Sequence, residues 1–347
     1  MNLTKYNDKG YTGLTNLGNT CFLNSCMQVI NHTYEIHKIL DSNEIDSLIN
    51  PKLCDSIILK EWIELRNVMW ENNCTVTPTR FIKNVHNVAR QKNKELFTGW
   101  SQNDMPEFLL FIIECFHNSI SRKINIKISG DIVNKVDDLA VKCYKMLKDV
   151  YSKEYSEIMD LFYGIYVSVL ASNDEKINHS INPESFFILD LPIPVNDTNL
   201  TIYNCFDLFT QSELLLGDNA WFNEKTGVKE DVRKKISFWN FPKILVITLK
   251  RFSYDGTNKI NDLITFPIDN LDLSKYVSGY NASSYQYDLY GVCNHIGNVF
   301  MGHYTAFVRN STNQWVHFND ESVEIVGDRN QIITPMAYCL FYRKKNT

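Results

Sequence analysis

The sequence predicts an α+β fold in one enzyme-sized unit, and three observations carry that prediction. Apolar residues from Cys21 to about Ser156 recur mainly at helical spacing, whereas strand-like runs dominate from about Leu161 onward. No fixed-period repeat and no Pro-, Gly- or Ser-rich linker interrupts the 347 residues. Helices first and strands later argue against an alternating parallel-sheet fold.

The elements follow in order. Leu23, Met27 and Ile30 share one face of a first helix, and Phe108, Ile112 and Cys115 share a face at i, i+4, i+7. Phe186 to Leu191, Ile244 to Leu249, Tyr287 to Cys293, His303 to Arg309, Trp315 to Phe318 and Tyr338 to Tyr342 are rich in aromatic and β-branched residues and read as strands. At 44% hydrophobic and 13% aromatic, the chain has ample core material and is not a disordered polymer.

Thirty-five Lys and Arg against 40 Asp and Glu leave a net charge of −5, the wrong sign for general nucleic-acid binding; only Val232-Arg233-Lys234-Lys235 approaches a basic patch. The longest apolar runs, Phe108 to Ile113 and Ile244 to Leu249, fall far short of the roughly 18 to 20 residues that span a bilayer, so no membrane partner is expected. The first eight residues lack the apolar core of a signal peptide. The nine cysteines form no Cys-x-x-Cys pair and are expected to stay reduced, mostly as small core residues, in an intracellular, cytoplasmic setting.

Leu14 to Ser25 reads as a loop feeding a helix, with Asn19 or Thr20 as its cap and Cys21 in the first turn. Backbone N–H groups and the helix dipole there favour a thiolate, and the same N–H groups suit an oxyanion formed when that sulfur attacks a carbonyl. A buried cysteine packing the helix start is the competing reading; Cys26, on the core side, fits it better.

Gly302 to Arg309 and Trp315 to Phe318 alternate in polarity and flank the turn-forming run Asn310-Ser311-Thr312-Asn313, as in a β-hairpin. If Arg309 pairs with Gln314, His303 lies opposite Asp320 and one step from Asn319. A register one lower puts His303 opposite Asn319. Either side chain would fix the imidazole tautomer and hold the other nitrogen towards a thiol.

These two segments resemble the Cys box and His box of the ubiquitin-specific proteases, the papain-like deubiquitinases. The first matches at Gly13, Leu14, Asn16, Gly18, Asn19, Thr20, Cys21, Phe22, Asn24 and Ser25. The second matches at His295, Gly297, Gly302, His303, Tyr304, Trp315, Phe318, Asp320 and Val323, followed by Ala337 to Tyr342. Trp100 to Asp104 with Glu107-Phe108-Leu109, Phe162-Tyr163-Gly164 and Leu249-Lys250-Arg251-Phe252 lie between them in family order.

The resemblance implies a papain-like cysteine peptidase fold with a helical thumb (about 11–156), β-rich fingers (about 161–238, with interleaved palm strands) and a palm (about 239–347), after a short extension (1–10). It implies Cys21 as nucleophile, His303 as general base, Asn319 as its orienting residue and Asn16 as oxyanion-hole donor. Asn319 stands where the family often has Asp, which directs interest to Asp320 as well. Only about ten residues precede Tyr11 and five follow Tyr342, so no further domain is expected within this chain.

By the same resemblance, Asp104 and Glu107 face the arginines of ubiquitin's tail, Leu-Arg-Leu-Arg-Gly-Gly. Asp-x-x-Glu before Phe108 is equally a capping box at a helix start. Tyr254 resembles a tail-lining aromatic or is a core residue, and Gly302 and Tyr304 border the narrow slot that suits the terminal glycines. Pro106 and Asn103 depart from the family pattern.

Many members bind a structural zinc through two Cys-x-x-Cys pairs in the fingers. Here Ser172-Asn173-Asp174-Glu175 and Asn223-Glu224-Lys225-Thr226 stand in their places, so no metal or other cofactor is expected, and Val167, Val169, Phe187, Leu189, Leu214 and Trp221 are expected to hold the fingers. The function implied is thiol-dependent hydrolysis of the (iso)peptide bond after ubiquitin's C-terminal glycine. A ubiquitin-binding module with weak catalysis and a peptidase for a ubiquitin-like modifier are the alternatives. Ubiquitin or ubiquitinated proteins are the expected partners, and any activating protein is unspecified.

Overall fold

The computed structural model describes residues 3–195, 198–224, 226–253, 257–298 and 301–345. Its first part carries helices α1 (Cys21–Asn31), α2 (Tyr34–Leu40), α3 (Ile45–Leu48), α4 (Asp55–Glu71), α5 (Thr79–Gln91) and α6 (Met105–Ile120), with short strands β1 (Gly13–Leu14) and β2 (Thr75–Val76) paired in parallel. All eleven residues of α1 are buried, because it lies between α6 and a large sheet. Trp62 of α4, fully buried, lies beside Phe81 and Phe116, and such rings tie α4 to α5 and α6.

Next come α7 (Lys135–Tyr151), started by a capping box between Asn134 and Asp137, and α8 (Glu157–Phe162). Strands β3 (Gly164–Ser172) and β4 (Asn178–Phe186) open the β-rich part, followed by β5 (Ile188–Leu191), α9 (Ile202–Thr210), β6 (Glu213–Leu215), β7 (Trp221–Asn223), β8 (Val228–Glu230) and β9 (Val232–Asn240). The remainder is β10 (Ile244–Leu249), β11 (Leu271–Asp272), β12 (Gln286–Gly297), β13 (Gly302–Arg309), β14 (Trp315–Asn319), β15 (Ser322–Val326) and β16 (Ala337–Lys344).

The palm sheet runs β15-β14-β13-β12-β16-β10-β5, with β11 added on β12. Every residue of β10 is buried: Ile244 and Val246 face the core shared with the helices, while Leu245, Ile247 and Leu249 face a second core. A strand covered on both faces needs apolar residues throughout, which is why Ile244 to Leu249 carries an apolar run in place of alternation. Beyond the palm, the fingers are the sheet β4-β3-β9-β6 and the hairpin β7-β8. Helix α7 lays Ala140 and Cys143 against Ile165, Val167 and Trp239 of that sheet.

The α+β expectation holds, with helical thumb, palm and fingers. The residues expected to support the fingers divide differently. Val167 is buried in the finger core, Phe187 and Leu189 belong to the two palm cores, and Leu214 is 42% exposed. No helix among the described residues is long and apolar enough to cross a membrane.

Candidate active site

The loop before α1 is wound around one amide. Asn16 Oδ1 accepts hydrogen bonds from Gly18 N–H (3.0 Å), Thr20 N–H (3.2 Å) and the Thr20 hydroxyl (3.2 Å), while Thr20 Oγ1 accepts from Leu17 N–H (3.0 Å). Gly18 and Asn19 both take positive φ, +101° and +56°, values that Gly and Asn tolerate best. Thr20 stands at the N-cap position of α1, but its side chain does not cap the helix, and Asn19 donates to Trp100 O (2.9 Å). The capping expected of these residues is therefore corrected: their polar groups close the loop, leaving first-turn N–H groups beside Cys21.

Cys21 is only 3% exposed. Burial pushes its thiol above the ordinary value; a hydrogen bond from Tyr304 N–H opposes this, the Asp320 carboxylate adds to it, and the Phe22 and Cys21 amides oppose it. The helix start alone suggested an activated thiolate, but in this geometry desolvation outweighs the N–H groups.

In the β13–β14 hairpin, Arg309 opposes Trp315 and Ala306 opposes Phe318, a register one step beyond the first one considered and two beyond the second. The correction has a structural consequence, since a one-residue slip exchanges sheet faces. The observed register puts odd-numbered residues of both strands on one face: Phe307 stacks near His317 at 4.7 Å, and His303 reaches Asn319 diagonally. His303 Nε2 lies 2.7 Å from Asn319 Oδ1 and 3.9 Å from Asp320 Oδ2. An amide oxygen only accepts, so Nε2 carries the proton in this contact and Nδ1 is left as the free base.

Asp320 ties the two halves together. At φ +49° it turns the chain after β14, and its carboxylate accepts from Asn16 Nδ2 (2.9 Å) and Asn24 Nδ2 (2.8 Å). Its carbonyl accepts from Leu14 N–H (2.9 Å), and Asn16 N–H donates to Glu321 Oε1 (2.9 Å). Gly13 fits here because a Cβ would sit 2.3 Å from Glu321 O. Asn16 Nδ2 carries two hydrogens; with one on Asp320, the second remains for an oxyanion.

Asp104 precedes α6 without capping it; its carboxylate instead accepts from Tyr304 Oη (2.9 Å) and Tyr338 Oη (3.3 Å). The capping-box reading is thus replaced by a carboxylate–tyrosine cluster between thumb and palm. Burial raises the Asp104 pKa to about 6, although both phenols lower it. Glu107, in the first turn of α6, is exposed and makes no cap. Gly302 opens β13, where a Cβ would fall 2.1 Å from the His295 ring, so only glycine lets the strand pass. Tyr254 lies outside the described residues.

The structure thus brings together Cys21, Asn16, His303, Asn319 and Asp320, with Asp104, Gly302 and Tyr304 beside them. Asn24 and Tyr338 match the family pattern but were given no role from sequence, and Glu321 was not singled out. Asn24 was legible as a polar residue one helical turn from Cys21, and Tyr338 as a polar-tipped aromatic in a core strand. Glu321 had no local signal. Arg251, from the Leu249-Lys250-Arg251-Phe252 stretch, is a fully buried brace donating to Ala337 O (2.7 Å), Ile260 O (3.0 Å) and Asp262 O (3.0 Å). Among the described residues, no group of three or more His, Cys, Asp or Glu side chains is arranged to hold a metal ion.

Comparison with known proteins matches residues 12–342 to the profile of the family described as ubiquitin carboxyl-terminal hydrolase. Ubiquitin carboxyl-terminal hydrolase Usp2 of Drosophila melanogaster is 32% identical over 341 residues, covering 97% of this chain and 35% of the relative. Ubiquitin carboxyl-terminal hydrolase 2 of Homo sapiens is 33% identical over 342 residues, covering 96% and 55%. This chain therefore spans about a third to a little over half of those relatives. A probable ubiquitin carboxyl-terminal hydrolase of Acanthamoeba polyphaga mimivirus is 28% identical over 428 residues, covering 97% and 90%. Among solved structures, a SAGA DUB module of Ubp8, Sgf11, Sus1 and Sgf73 bound to monoubiquitin superposes with a TM-score of 0.74 at 24% identity, over 100% of this chain and 71% of the matched one, a likeness of fold. With a profile running from Thr12 to Tyr342 and the loop and hairpin as described, the chain belongs to the ubiquitin carboxyl-terminal hydrolase family.

Proposed function

We propose that this protein is a thiol-dependent deubiquitinase that hydrolyses the (iso)peptide bond after the C-terminal glycine of ubiquitin. The observation that carries this reading is the convergence on Asp320: one carboxylate holds Asn16 of the Cys21 loop 2.9 Å away and lies beside the His303–Asn319 pair. In this reading Cys21 is the nucleophile, His303 the base, Asn319 its orienting residue, Asn16 the oxyanion donor, and Asp320 a positioning residue. In this reading the thumb is about 11–156, the fingers about 161–238 with interleaved palm strands such as β5, and the palm about 239–347. A reducing, intracellular setting suits a catalytic thiol.

The chemistry follows from the free groups. His303 Nδ1 takes the Cys21 proton as the sulfur attacks the glycine carbonyl. Asn16 Nδ2 and first-turn N–H groups of α1 hold the oxyanion. Collapse expels the amine, which takes the proton from His303, and leaves a thioester. Water deprotonated by His303 then attacks the thioester, releasing ubiquitin's carboxylate and the thiol. Asp104 and Glu107 supply carboxylates for the arginines of the tail, and Gly302 and Tyr304 border its glycines.

The test is reaction with a ubiquitin C-terminal electrophile beside matched ubiquitin-like modifier probes, together with cleavage of ubiquitin conjugates. Labelling of Cys21 and turnover with ubiquitin are expected. Tight ubiquitin binding without labelling or turnover would favour a binding module, a reading that draws on the burial that holds the Cys21 thiol above its ordinary pKa. Preferential labelling by another modifier would reassign the substrate.

A further inference from the structure

The outward edge of β13 is occupied differently along its length. At Ala306 to Arg309 it pairs with β14. Two residues earlier, the Tyr304 amide lies near enough to the Cys21 thiol to favour its thiolate. Two residues earlier again, at Gly302, β14 is absent and the Gln102 side chain takes its place: Nε2 donates to Gly302 O (2.8 Å), and Oε1 accepts from Gly302 N–H (3.1 Å). A primary amide presents one donor and one acceptor side by side, so it completes both backbone groups of a strand residue as a neighbouring strand would.

Gly302 is confined on its other sides too. It opposes Gly297 of β12 at the hairpin end, and the His295 ring occupies the volume of its absent Cβ. Lys259 Nζ holds the β12 side through His295 O (2.7 Å) and Gly297 O (3.2 Å). Gln102 itself stands in the thumb, two residues before Asp104, in a stretch whose Trp100 carbonyl is held by Asn19 of the Cys21 loop at 2.9 Å. The amide thus joins the thumb, which carries Cys21, to the residue immediately before His303.

We infer that Gln102 is a positioning residue that sets the thumb–palm register in which His303 meets Cys21. The inference rests on the deubiquitinase reading only for its kinetic arm. Without the paired bonds, the hairpin end keeps β12 and the Tyr304–Asp104 bond but loses its anchor to the thumb on the other side of His303, and the imidazole is displaced relative to the sulfur. A misplacement near 1 Å is enough to lower turnover about 100-fold.

The experiment compares wild type, Gln102→Ala and Gln102→Glu in the full chain by two measurements. Amide hydrogen exchange, which needs no substrate, is expected to show Gly302 N–H protected in wild type and exposed in Gln102→Ala, with Ala306 to Val308 unchanged. Kinetics on a fluorogenic ubiquitin C-terminal amide are expected to show kcat down about 100-fold in Gln102→Ala with KM within about threefold. Gln102→Glu keeps the acceptor for Gly302 N–H but loses the donor to Gly302 O, so it is expected to retain protection and have intermediate kcat. The inference is overturned if Gln102→Ala keeps full kcat, if its loss lies in KM alone, or if Gly302 is unprotected in wild type. Protection lost in Gln102→Ala while wild type fails to turn over ubiquitin would instead count against the substrate assignment and support the anchor.

Discussion

The cleft and the finger ends solve the same problem, holding turns in place, by different means. In the candidate active site, partly buried side chains are shared: Asp320 alone receives Asn16 and Asn24, and Asn16 Oδ1 receives three donors. At the finger ends the bonds are local and mostly exposed. Ser172 Oγ donates to Asp174 Oδ1 (2.7 Å) and accepts from Ile177 N–H (3.0 Å) in the β3–β4 turn; Asn223 Nδ2 and Thr226 Oγ1 donate to Glu230 Oε1 (2.9 and 2.8 Å) across β7–β8. The Trp221 ring lies 5.3 Å from His179, linking the two ends. The difference teaches where substitutions should matter, since removing one partner from a shared, partly buried network weakens several bonds at once whereas an exposed local bond is replaced by water.

The largest effect expected is at the thiol. Cys21→Ala should lower turnover by on the order of 10⁴-fold or more while leaving ubiquitin affinity nearly intact. Cys26→Ala, on the core side of the same helix, should cost about 1 kcal/mol of stability and little turnover. Equal loss of turnover in both folded variants would break the assignment of Cys21 as sole nucleophile.

Next are the two neighbours at the end of β14. Asn319→Ala should lower kcat about 100-fold with an unchanged melting temperature, and Asn319→Asp should stay close to wild type. Asp320→Ala should lose kcat and stability together, by about 1–3 kcal/mol, because it takes the acceptor from Asn16 Nδ2 and leaves Asn24 Nδ2 only its longer bonds to Leu14 O (3.2 Å) and Thr15 O (3.4 Å). If Asp320→Ala alone abolishes turnover at full stability while Asn319→Ala is near wild type, the orienting role belongs to Asp320.

The Asp104 cluster is expected to show in pH dependence. Its folded pKa of about 6 is above the ordinary carboxylate value, so its contribution to stability is fully present below about 3.8 and is lost as the pH rises through 6. Binding of a cationic tail has the opposite sign, because it needs the ionised form. Ubiquitin affinity of the Cys21→Ala protein should therefore fall as the pH drops below about 6, and Asp104→Asn should weaken binding about tenfold and flatten that profile. A profile unchanged by Asp104→Asn would remove this residue from the tail contacts.

The smallest effects belong to the finger ends. Thr226→Val should shift the melting temperature by no more than about 2 °C. Chelator treatment should leave both activity and melting temperature unchanged, since Ser172, Asp174, Asn223 and Thr226 are engaged with each other or with Glu230 through hydrogen bonds. Stoichiometric zinc together with loss of melting temperature in chelator would show that a metal clamps this end after all.

Local pattern alone made much of the fold readable. The run Ile244 to Leu249 became a strand buried on both faces, and the Asn-rich stretch Asn310 to Asn313 became the turn it suggests. The hairpin register was not readable, because an Asn-Ser-Thr-Asn turn accommodates neighbouring pairings. Only the fit of Ala306 and Phe318 into the core beneath α1 selects one. Asp104 was ambiguous for a similar reason: its spacing to Glu107 satisfies a capping rule, and the competing donors, Tyr304 and Tyr338, lie 200 and 234 residues away.

By itself, the sequence determined the order of helices and strands, the position of Cys21 at a helix start and of His303 in a hairpin, and the absence of Cys-x-x-Cys pairs, all properties of neighbouring residues. Tertiary structure decided that Asn319 rather than Asp320 lies in hydrogen-bond contact with His303, that Asp320 joins the Cys21 loop to the palm, and that Cys21 is held above its ordinary pKa by burial. These depend on which face a strand turns inward and how much water a cleft admits, quantities set only when segments some 300 residues apart pack together.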